Sequence, residues 1–256
     1  MRTQRTTGLS IEQFADLCVL VRDELEPWES GRGRPRALSL GQAVKVTVMY
    51  YKNNVTEEVL GELAGVSQPT ISRSITRLEP VIAAVLDGYV RHPSNIPDGL
   101  VVLVDGTLAP CWSWADAPEL FSGKHKRTGH NHQVGASLTG RLLFLTDPLP
   151  GKTHDARAFR EAKLDDAFDS TNSIGDKGYL GTGMLTPFRK PPGGELLPWQ
   201  KEFNTTVNSL RAVVERAIAN VKTWRILHTD YRRPRNTYHS AFRAVRGLVF
   251  FRMLYE

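Results

Sequence analysis

Cysteine is scarce in this sequence, and long apolar runs are absent. Among 256 residues the only cysteines are Cys18 and Cys111, which form neither a CxxC pair nor a disulfide framework. This excludes a disulfide-stapled secreted scaffold and suits a reducing compartment. No stretch approaches the roughly 18 to 20 uninterrupted apolar residues that span a membrane, and no signal-type apolar run follows the N-terminus. We expect a cytoplasmic protein without membrane contacts.

Acidic residues are few in the last third of the chain. Residues 177–256 contain 14 Lys and Arg against 5 Asp and Glu, a net charge of +9, although the whole chain has a formal net charge of +6. Such a basic segment indicates a polyanionic partner, because each Lys or Arg that neutralises a phosphate releases counterions. On charge alone, a solvated basic face is an equal alternative. Arg232, Arg233 and Arg235 in this segment are candidate contacts to a nucleic-acid backbone.

Helical periodicity dominates the first hundred residues. Apolar residues recur at helical spacing between Ser10 and Trp28. A second helix is predicted to begin near Ser39 and to end before Asn53. These patterns predict a small all-α domain, which we assign to residues 1–95.

The segment 56–78, with the sequence TEEVLGELAGVSQPTISRSITRL, predicts a helix-turn-helix. Thr56 caps the first helix, Gly65 ends it, and Ser67 caps the second. The exposed face of the second helix would present four side chains to a major groove: Gln68, Thr70, Arg73 and Arg77. A helical hairpin that only packs is the alternative, but the spacing GVSxxTISR favours DNA binding.

Two glycines and a proline exclude a helix in the basic segment 31–36, GRGRPR. An extended arm of this kind can lay Arg32 and Arg34 in a narrow, A/T-rich minor groove. A solvated linker explains the composition nearly as well.

After residue 100 the pattern changes to short apolar strands that lead into aspartates. The run Leu100–Val104 predicts a buried central strand with Asp105 at its end. Two runs within 133–146 predict a hairpin in the same sheet. A weaker strand at 172–175 leads into Asp176. Together with a predicted helix at 155–162, these elements indicate a mixed α/β domain.

A long amphipathic helix is predicted from about Trp199 to Trp224, with its apolar stripe facing the sheet. Glu215 lies at the border of that stripe. It is flanked by Arg211 and Lys222, which are candidate DNA contacts. Taken alone, Glu215 is better explained by an i,i+4 surface pair with Arg211.

Three acids together indicate more than each does alone. Mg²⁺ takes oxygen ligands and usually binds one or two protein carboxylates. Asp105, Asp176 and Glu215 can therefore hold two Mg²⁺ ions per active site, with Mn²⁺ able to substitute. Two such ions can activate a nucleophile and stabilise the leaving oxygen of a phosphoryl displacement.

Several ordered motifs resemble the DDE transposases of bacterial insertion sequences, in particular insertion-sequence family five, which is akin to eukaryotic Harbinger transposases. The motifs are GVSQPTISR at 65–73, VDGT at 104–107, FSGKHKRTGHNHQV at 121–134, PGKTHDARAF at 150–159, GDKGYLG at 175–181 and LRAVVERAIANVKTWRIL at 210–227. The resemblance covers nearly the whole chain. It places the family's catalytic triad on Asp105, Asp176 and Glu215, and it makes His154 and Asp155 of the THD motif auxiliary candidates.

The resemblance implies an α+β fold, with an RNase H-like catalytic domain at 96–256 behind the helix-turn-helix domain. It implies a metal-dependent transposase that cleaves inverted-repeat ends and joins their 3′-hydroxyls to target DNA. Double-stranded DNA would then be the partner of a homodimer on paired ends, and the protein would associate with the nucleoid. No truncation signature is visible, so an intact enzyme is expected.

The basic segment 124–132 has two interpretations. The spacing of His125, His130 and His132 is that of a candidate zinc site, but no cysteine is nearby. We therefore predict a DNA-contacting or solvated loop, whose candidate DNA contacts are Lys124, Lys126 and Arg127. Lys177, which follows Asp176, is a candidate contact to the scissile phosphate, with a surface role as the alternative.

Three other functions compete with transposition. A domesticated, non-transposing DNA-binding regulator would need only the helix-turn-helix. An RNase H-like nuclease would use the same two-metal geometry without strand transfer. A purely structural protein is disfavoured by the clustered positive charge.

Overall fold

The computed structural model describes residues 4–25, 27–28 and 35–254. The chain divides into two compact units: unit 1 comprises the described parts of 1–90 and 222–256, and unit 2 comprises 91–221. Unit 1 is helical and unit 2 is mixed α/β, so the predicted α+β fold class is confirmed. Within the described residues, no helix combines the length and the apolar character needed to cross a bilayer.

The described residues of unit 1 form five α-helices. At Ser10 and Ser39 the hydroxyl accepts a hydrogen bond from the backbone three residues later, while the glutamine there returns one, so both helices begin with a capping box. The helices are α1 (Ile11–Glu24), α2 (Leu40–Asn53), α3 (Glu57–Ala64), α4 (Gln68–Asp87) and α8 (Tyr238–Met253).

The helix-turn-helix is formed by α3 and α4. Thr56 caps α3 through its hydroxyl, and Gly65 ends α3 in the left-handed conformation at φ +67°. A Cβ on Gly61 would lie 2.7 Å from the carbonyl oxygen of Val66, so only glycine allows this crossing. The turn lies where the sequence predicted it, and Ser67 is the N-cap residue of α4, but its hydroxyl makes no capping hydrogen bond to the backbone and lies 3.0 Å from the Thr70 hydroxyl instead. Helix α4 continues through Pro80 to Asp87, beyond the segment that the sequence assigned to it.

The C-terminal segment packs in unit 1, although the sequence grouped it with the catalytic domain. Most of α8 is buried, because its apolar residues cover more than one face of the helix. A Cβ on Gly247 would lie 2.6 Å from Cβ of Leu86, so α8 approaches α4 at van der Waals distance. The boundaries between the compact units fall after residue 90 and before residue 222. The predicted functional domains, 1–95 and 96–256, stay a prediction.

Two arginines of the cluster predicted to bind a nucleic-acid backbone make contacts within unit 1. Arg233 forms a buried ion pair with Glu79, whose carboxylate also accepts a hydrogen bond from the Tyr51 hydroxyl at 2.9 Å. Arg232 donates to the backbone carbonyl of Asn54 at 2.6 Å. Arg233 is thus taken up by this ion pair, because a buried acid on α4 requires a cationic partner. The interpretation of Arg232 and Arg235 as DNA contacts stays a prediction.

Unit 2 is a sheet with helices attached to it. The strands are β1 (Val102–Pro110), β2 (Phe121–Ser122), β3 (Arg127–Ser137), β4 (Leu142–Leu145), β5 (Leu149–Pro150) and β6 (Ser173–Ile174). The order is β2-β3-β1-β6, and β4 and β5 also pair with β3. Among these strands, the pairing of β1 with β6 is parallel and the other pairings are antiparallel. The helices are α5 (Asp155–Glu161), α6 (Leu164–Ala167) and α7 (Pro198–Lys222).

Two strands are longer than predicted. β1 continues past Asp105 to Pro110, and β3 begins at Arg127, because the two strands pair without interruption from Val102 to Pro110. His130 and His132 therefore lie on a strand, and the predicted loop was wrong for this part. His132 is buried, and its Nδ1 lies 2.9 Å from the carbonyl oxygen of Thr146. This contact gives the buried imidazole a polar partner inside the sheet.

Candidate active site

Two aspartates converge because β1 and β6 are adjacent and parallel. Leu103 on β1 is in register with Ile174 on β6. Asp105 and Asp176 each follow two residues later, so both side chains emerge at the same place beside the sheet. The Asp176 carboxylate is held by the backbone N–H of Gly178, which donates to it at 2.6 Å. The convergence of the first two predicted acids thus follows from strand register.

A cationic group from α7 lies between these acids. An Nη atom of Arg211 is 3.8 Å from Oδ2 of Asp105 and 3.9 Å from Oδ2 of Asp176. Among the described side chains, the Nε atom of Arg211 is one of those buried without a hydrogen-bond partner. Two carboxylates that converge on one positive charge provide the oxygen-only donor set that a divalent cation prefers. These residues fit a metal ion.

Glu215 lies on an exposed part of α7, one helical turn after Arg211. In the part of the chain that the structure describes, no three acidic, histidine or cysteine side chains are grouped closely enough to hold a metal ion. Arg211, rather than Glu215, is the α7 residue that faces the two aspartates. The assignment of Glu215 as the third ligand therefore stays a prediction.

Replacement of Arg211 by methionine is expected to tighten the binding of Mn²⁺ on the order of tenfold, because a guanidinium and a metal ion compete for the same carboxylates. Titration of the protein with Mn²⁺, followed by the loss of the free-ion electron paramagnetic resonance signal, measures this affinity. Arg216→Met, an exposed arginine on the same helix, is the matched control. Unchanged or weaker binding by Arg211→Met would show that the arginine does not occupy the cation position.

A third carboxylate borders the pair, from a residue that the sequence ranked only as auxiliary. Asp155, the first residue of α5, is buried and forms a 2.8 Å ion pair with Lys124. Its two oxygens lie 2.7 Å from the positions that Cβ atoms would take on Gly106 and Gly178. The THD motif was the signal for this residue. By contrast, His154 is exposed and its side chain does not cap α5.

Burial controls the protonation of this cluster. It raises the pKa of the Asp105 carboxyl to about 6, although the charge of Arg211 lowers it; the charge of Asp176 raises it further. Burial lowers the pKa of the Lys124 ammonium, but the hydrogen bond to Asp155 and the surrounding carboxylates outweigh this effect and raise it. Lys124 therefore stays positively charged. A cation placed next to Asp105 would stabilise the charged form of its carboxylate.

Hydrogen bonds fix the wall behind the acids. The Tyr179 hydroxyl, which is buried, donates to Oε1 of Gln133 at 2.6 Å. Gln133 donates in turn to Asn131 at 3.1 Å, and the Asn131 amide donates to the carbonyl of Thr153 at 2.9 Å. This chain of polar contacts ties β3 to the loop that leads into α5. It holds Asp155 against β1 without using the side chains of the two aspartates.

The predicted major-groove residues on α4 differ in their availability. Arg73 is exposed and its guanidinium lies 3.4 Å from the Thr70 hydroxyl. Gln68 donates to the Glu57 carboxylate of α3. The Arg77 guanidinium lies 5.1 Å from the centre of the Trp28 ring. Of these four side chains only Arg73 is exposed, whereas Gln68, Thr70 and Arg77 are half-buried. The predicted arm residues Arg32 and Arg34 lie outside the described residues.

Other predicted contacts are distributed over unit 2 and its boundary. Lys126 is exposed in the turn between β2 and β3, Arg127 is exposed at the start of β3, and Lys177 is exposed beside Asp176. Lys222 is half-buried at the end of α7. Of the predicted contacts in unit 2, the structure brings Lys124 and Arg211 to the aspartates and leaves Lys126, Arg127 and Lys177 exposed.

Comparisons with known proteins identify two family models and relatives that match this chain. Residues 104–249 match the family model described as DDE superfamily endonuclease, and residues 36–88 match the helix-turn-helix of DDE superfamily endonuclease. A protein of Streptomyces albus G, named as a transposase for insertion sequence element IS112, is 34% identical over 86% of this chain and 83% of its own length. One of Microchaete diplosiphon, named as the probable transposase for insertion sequence element IS702, is 29% identical over 90% and 86%, respectively. No solved structure gives a significant match.

Proposed function

The chain belongs to the DDE superfamily endonucleases, and from this premise we propose that it cleaves the inverted-repeat ends of an insertion sequence and joins them to target DNA. The observation that carries the proposal is that Asp105 and Asp176 both lie next to the guanidinium of Arg211. The parallel pairing of β1 with β6 brings the two aspartates together. Kinship with insertion-sequence family five and Harbinger transposases is part of the same proposal. The names of the two relatives, both transposases for insertion sequence elements, support the transposase part of the proposal.

The two aspartates would hold the divalent ions, with Glu215 as the third ligand. Members of this superfamily use divalent metal ions; we propose two Mg²⁺ ions, replaceable by Mn²⁺. When bound, they supply activation of the attacking oxygen and stabilisation of the leaving oxygen. Because Glu215 and Arg211 are one turn apart on α7, a shift of this helix on DNA binding would exchange the guanidinium for the carboxylate.

The residues of this chain divide the remaining work. The buried wall around Asp105 limits access of water to the reacting phosphate, and the polar chain that includes Gln133 and Tyr179 keeps the acids in place. Arg73 and Thr70 on α4 would read the terminal repeat in a major groove. A homodimer would hold two ends together, and nucleoid association would follow from DNA binding.

The test is the joining of a labelled duplex with the element's own terminal repeat to a plasmid, in the presence of Mg²⁺ or Mn²⁺. Metal-dependent joining would support a transposase. End binding without cleavage would instead indicate a regulator, and cleavage without joining would indicate a nuclease. Either of these two results would overturn the proposal.

Replacement of Arg73 by alanine is expected to weaken binding of the terminal repeat by about 5- to 150-fold, the range for a side chain that reads a base edge. Because Arg73 is exposed, its replacement should leave the fold intact. Fluorescence anisotropy with the repeat and with a scrambled duplex measures the effect at fixed salt. Arg22→Ala, an exposed arginine on α1, is the control. A loss of equal size on both duplexes would show a backbone contact rather than base reading.

A further inference from the structure

A cavity of about 320 Å³ lies beside Asp105. It is enclosed by the second half of β1, the turn after β2 and the loop that precedes α5. Its volume is at the lower end of the roughly 300–1,000 Å³ typical of ligand pockets, so it accommodates one nucleotide unit and not a duplex. Gly106, the neighbour of Asp105 in β1, forms part of its wall.

The lining of this cavity contains more basic than acidic side chains. Lys124, Lys152, His125 and His154 all border it, against a single acidic residue, Asp155. The carboxylate of Asp155 has no freedom to move toward the strands, because Gly106 and Gly178 are so close that neither could carry a Cβ. The cavity therefore contains the ammonium groups of two lysines and a carboxylate, that of Asp155, whose position is fixed by packing.

The ion pair inside the cavity sets the position of one ammonium group. Nζ of Lys124 lies 2.8 Å from Oδ2 of Asp155. The side chain of Asp155 is 10% exposed and that of Lys124 is 53% exposed, so the acid is fixed and the lysine still reaches solvent. An ammonium has three donors, and one hydrogen bond to Asp155 leaves two for an incoming anion.

We propose that this cavity binds a phosphate-linked nucleotide of the DNA strand adjacent to the scissile phosphate, with Lys124 as the phosphate ligand and Asp155 as the residue that positions it. The inference rests on the proposed function, since the nucleotide is defined by its distance from the cleaved bond. Charge, size and proximity to Asp105 all favour a phosphodiester over a neutral ligand. Asp155 acts here through Lys124, and it is not a metal ligand.

The experiment uses duplexes in which single phosphates near the cleavage site are replaced, one at a time, by neutral methylphosphonate. Single-turnover cleavage of each duplex is compared between the wild type and Lys124→Met. In the wild type, one position should lower the rate about 10- to 100-fold, as expected for a lost hydrogen bond between charged groups. Lys124→Met should show a similar loss on unmodified DNA and no further loss at that position, because both changes remove the same contact.

Two further variants separate positioning from other roles. Asp155→Asn should lose sensitivity at the same phosphate while its Mn²⁺ affinity stays unchanged, and Lys124→Arg should recover part of the rate. Lys190→Met is the matched control, because Lys190 forms a 2.7 Å ion pair with Glu195 on an exposed loop of the same unit. If the losses from methylphosphonate and from Lys124→Met add at every position, the cavity is not the phosphate site. A loss of Mn²⁺ binding in Asp155→Asn alone would make it a metal ligand and overturn its assigned role.

Failure of the proposed function would be distinguishable from failure of this inference. If the wild type cleaves no duplex, the same methylphosphonate series is read as equilibrium binding in Ca²⁺. A position-specific loss that disappears in Lys124→Met would then support the phosphate site in a protein that does not transpose. Binding that is uniform across the series would overturn it.

Discussion

Asp105→Asn and Asp176→Asn are each expected to lower the rate of metal-dependent DNA cleavage by about 10³-fold or more. Asparagine preserves the shape of each side chain and removes the charge that would hold the metal ions, whose stabilisation of the transition state amounts to several kcal/mol. Single-turnover cleavage of a terminal-repeat duplex, with repeat binding measured in parallel, gives the result. Retention of binding with loss of cleavage assigns the aspartates to chemistry.

Glu215→Gln tests the one predicted ligand that the structure does not bring to the aspartates. If α7 carries Glu215 to the metal ions when DNA binds, the loss of rate should equal that of the aspartate variants. Asp166→Asn, an exposed acid of α6 in the same unit, is the control and should cleave at the wild-type rate. A loss of less than tenfold for Glu215→Gln would remove it from the ligand set.

The pH dependence of stability separates a chemical defect in Asp105→Asn from a folding defect. Because burial raises the pKa of Asp105 to about 6, above its value of 3.8 in an unfolded chain, the folded state binds the proton more tightly. Wild-type stability conferred by this group is therefore present below pH 3.8 and is lost as pH rises through 6. Without metal, Asp105→Asn should consequently melt at or above the wild-type temperature at pH 7.5. A lower melting temperature there would indicate a damaged fold.

Arg233→Met is expected to reduce the free energy of unfolding of the protein by about 3–5 kcal/mol, the cost of leaving a buried carboxylate without its partner. The partner is Glu79, whose side chain is 4% exposed. Equilibrium denaturation in urea, followed by circular dichroism at a helix wavelength, measures the change. The loss should appear in the transition that reports unit 1.

Two companion variants give this result its interpretation. Glu79→Leu combined with Arg233→Met should recover much of the stability, because no uncompensated charge then remains. Arg243→Met breaks the exposed pair between Arg243 of α8 and Asp87 of α4 and should cost no more than about 1 kcal/mol. Equal losses for Arg233→Met and Arg243→Met would show that burial of the pair is unimportant.

Local chemistry made the helices of unit 1 predictable. The capping boxes at Ser10 and Ser39, and the glycine Gly65 that ends α3, each involve residues only a few positions apart in the chain. The strands were harder to delimit, since β3 carries polar residues such as His132 that are buried only because β1 and β4 pair with it. Strand ends depend on partners far away in the chain, which local patterns do not contain.

The role of a charged side chain was the least predictable feature. Arg233 belongs to a basic segment that suggested DNA binding, but its partner Glu79 lies on α4, 154 residues away. Asp155 was recognised as part of a motif and not as a third carboxylate at the site, because its neighbours Gly106 and Gly178 come from separate segments. The sequence shows that these charged groups are present, but it does not show which groups pair in the folded protein.

The sequence by itself determined the helix-turn-helix and the two aspartates, because caps, turn glycines and apolar runs that precede an acid are local properties. Tertiary structure alone decided that Asp105 and Asp176 meet, through the parallel register of Leu103 with Ile174. It also decided that Arg211, and not Glu215, faces them. The physical reason is that two residues one turn apart on α7 are equivalent in sequence periodicity, and only packing of the helix selects which of them points into the site.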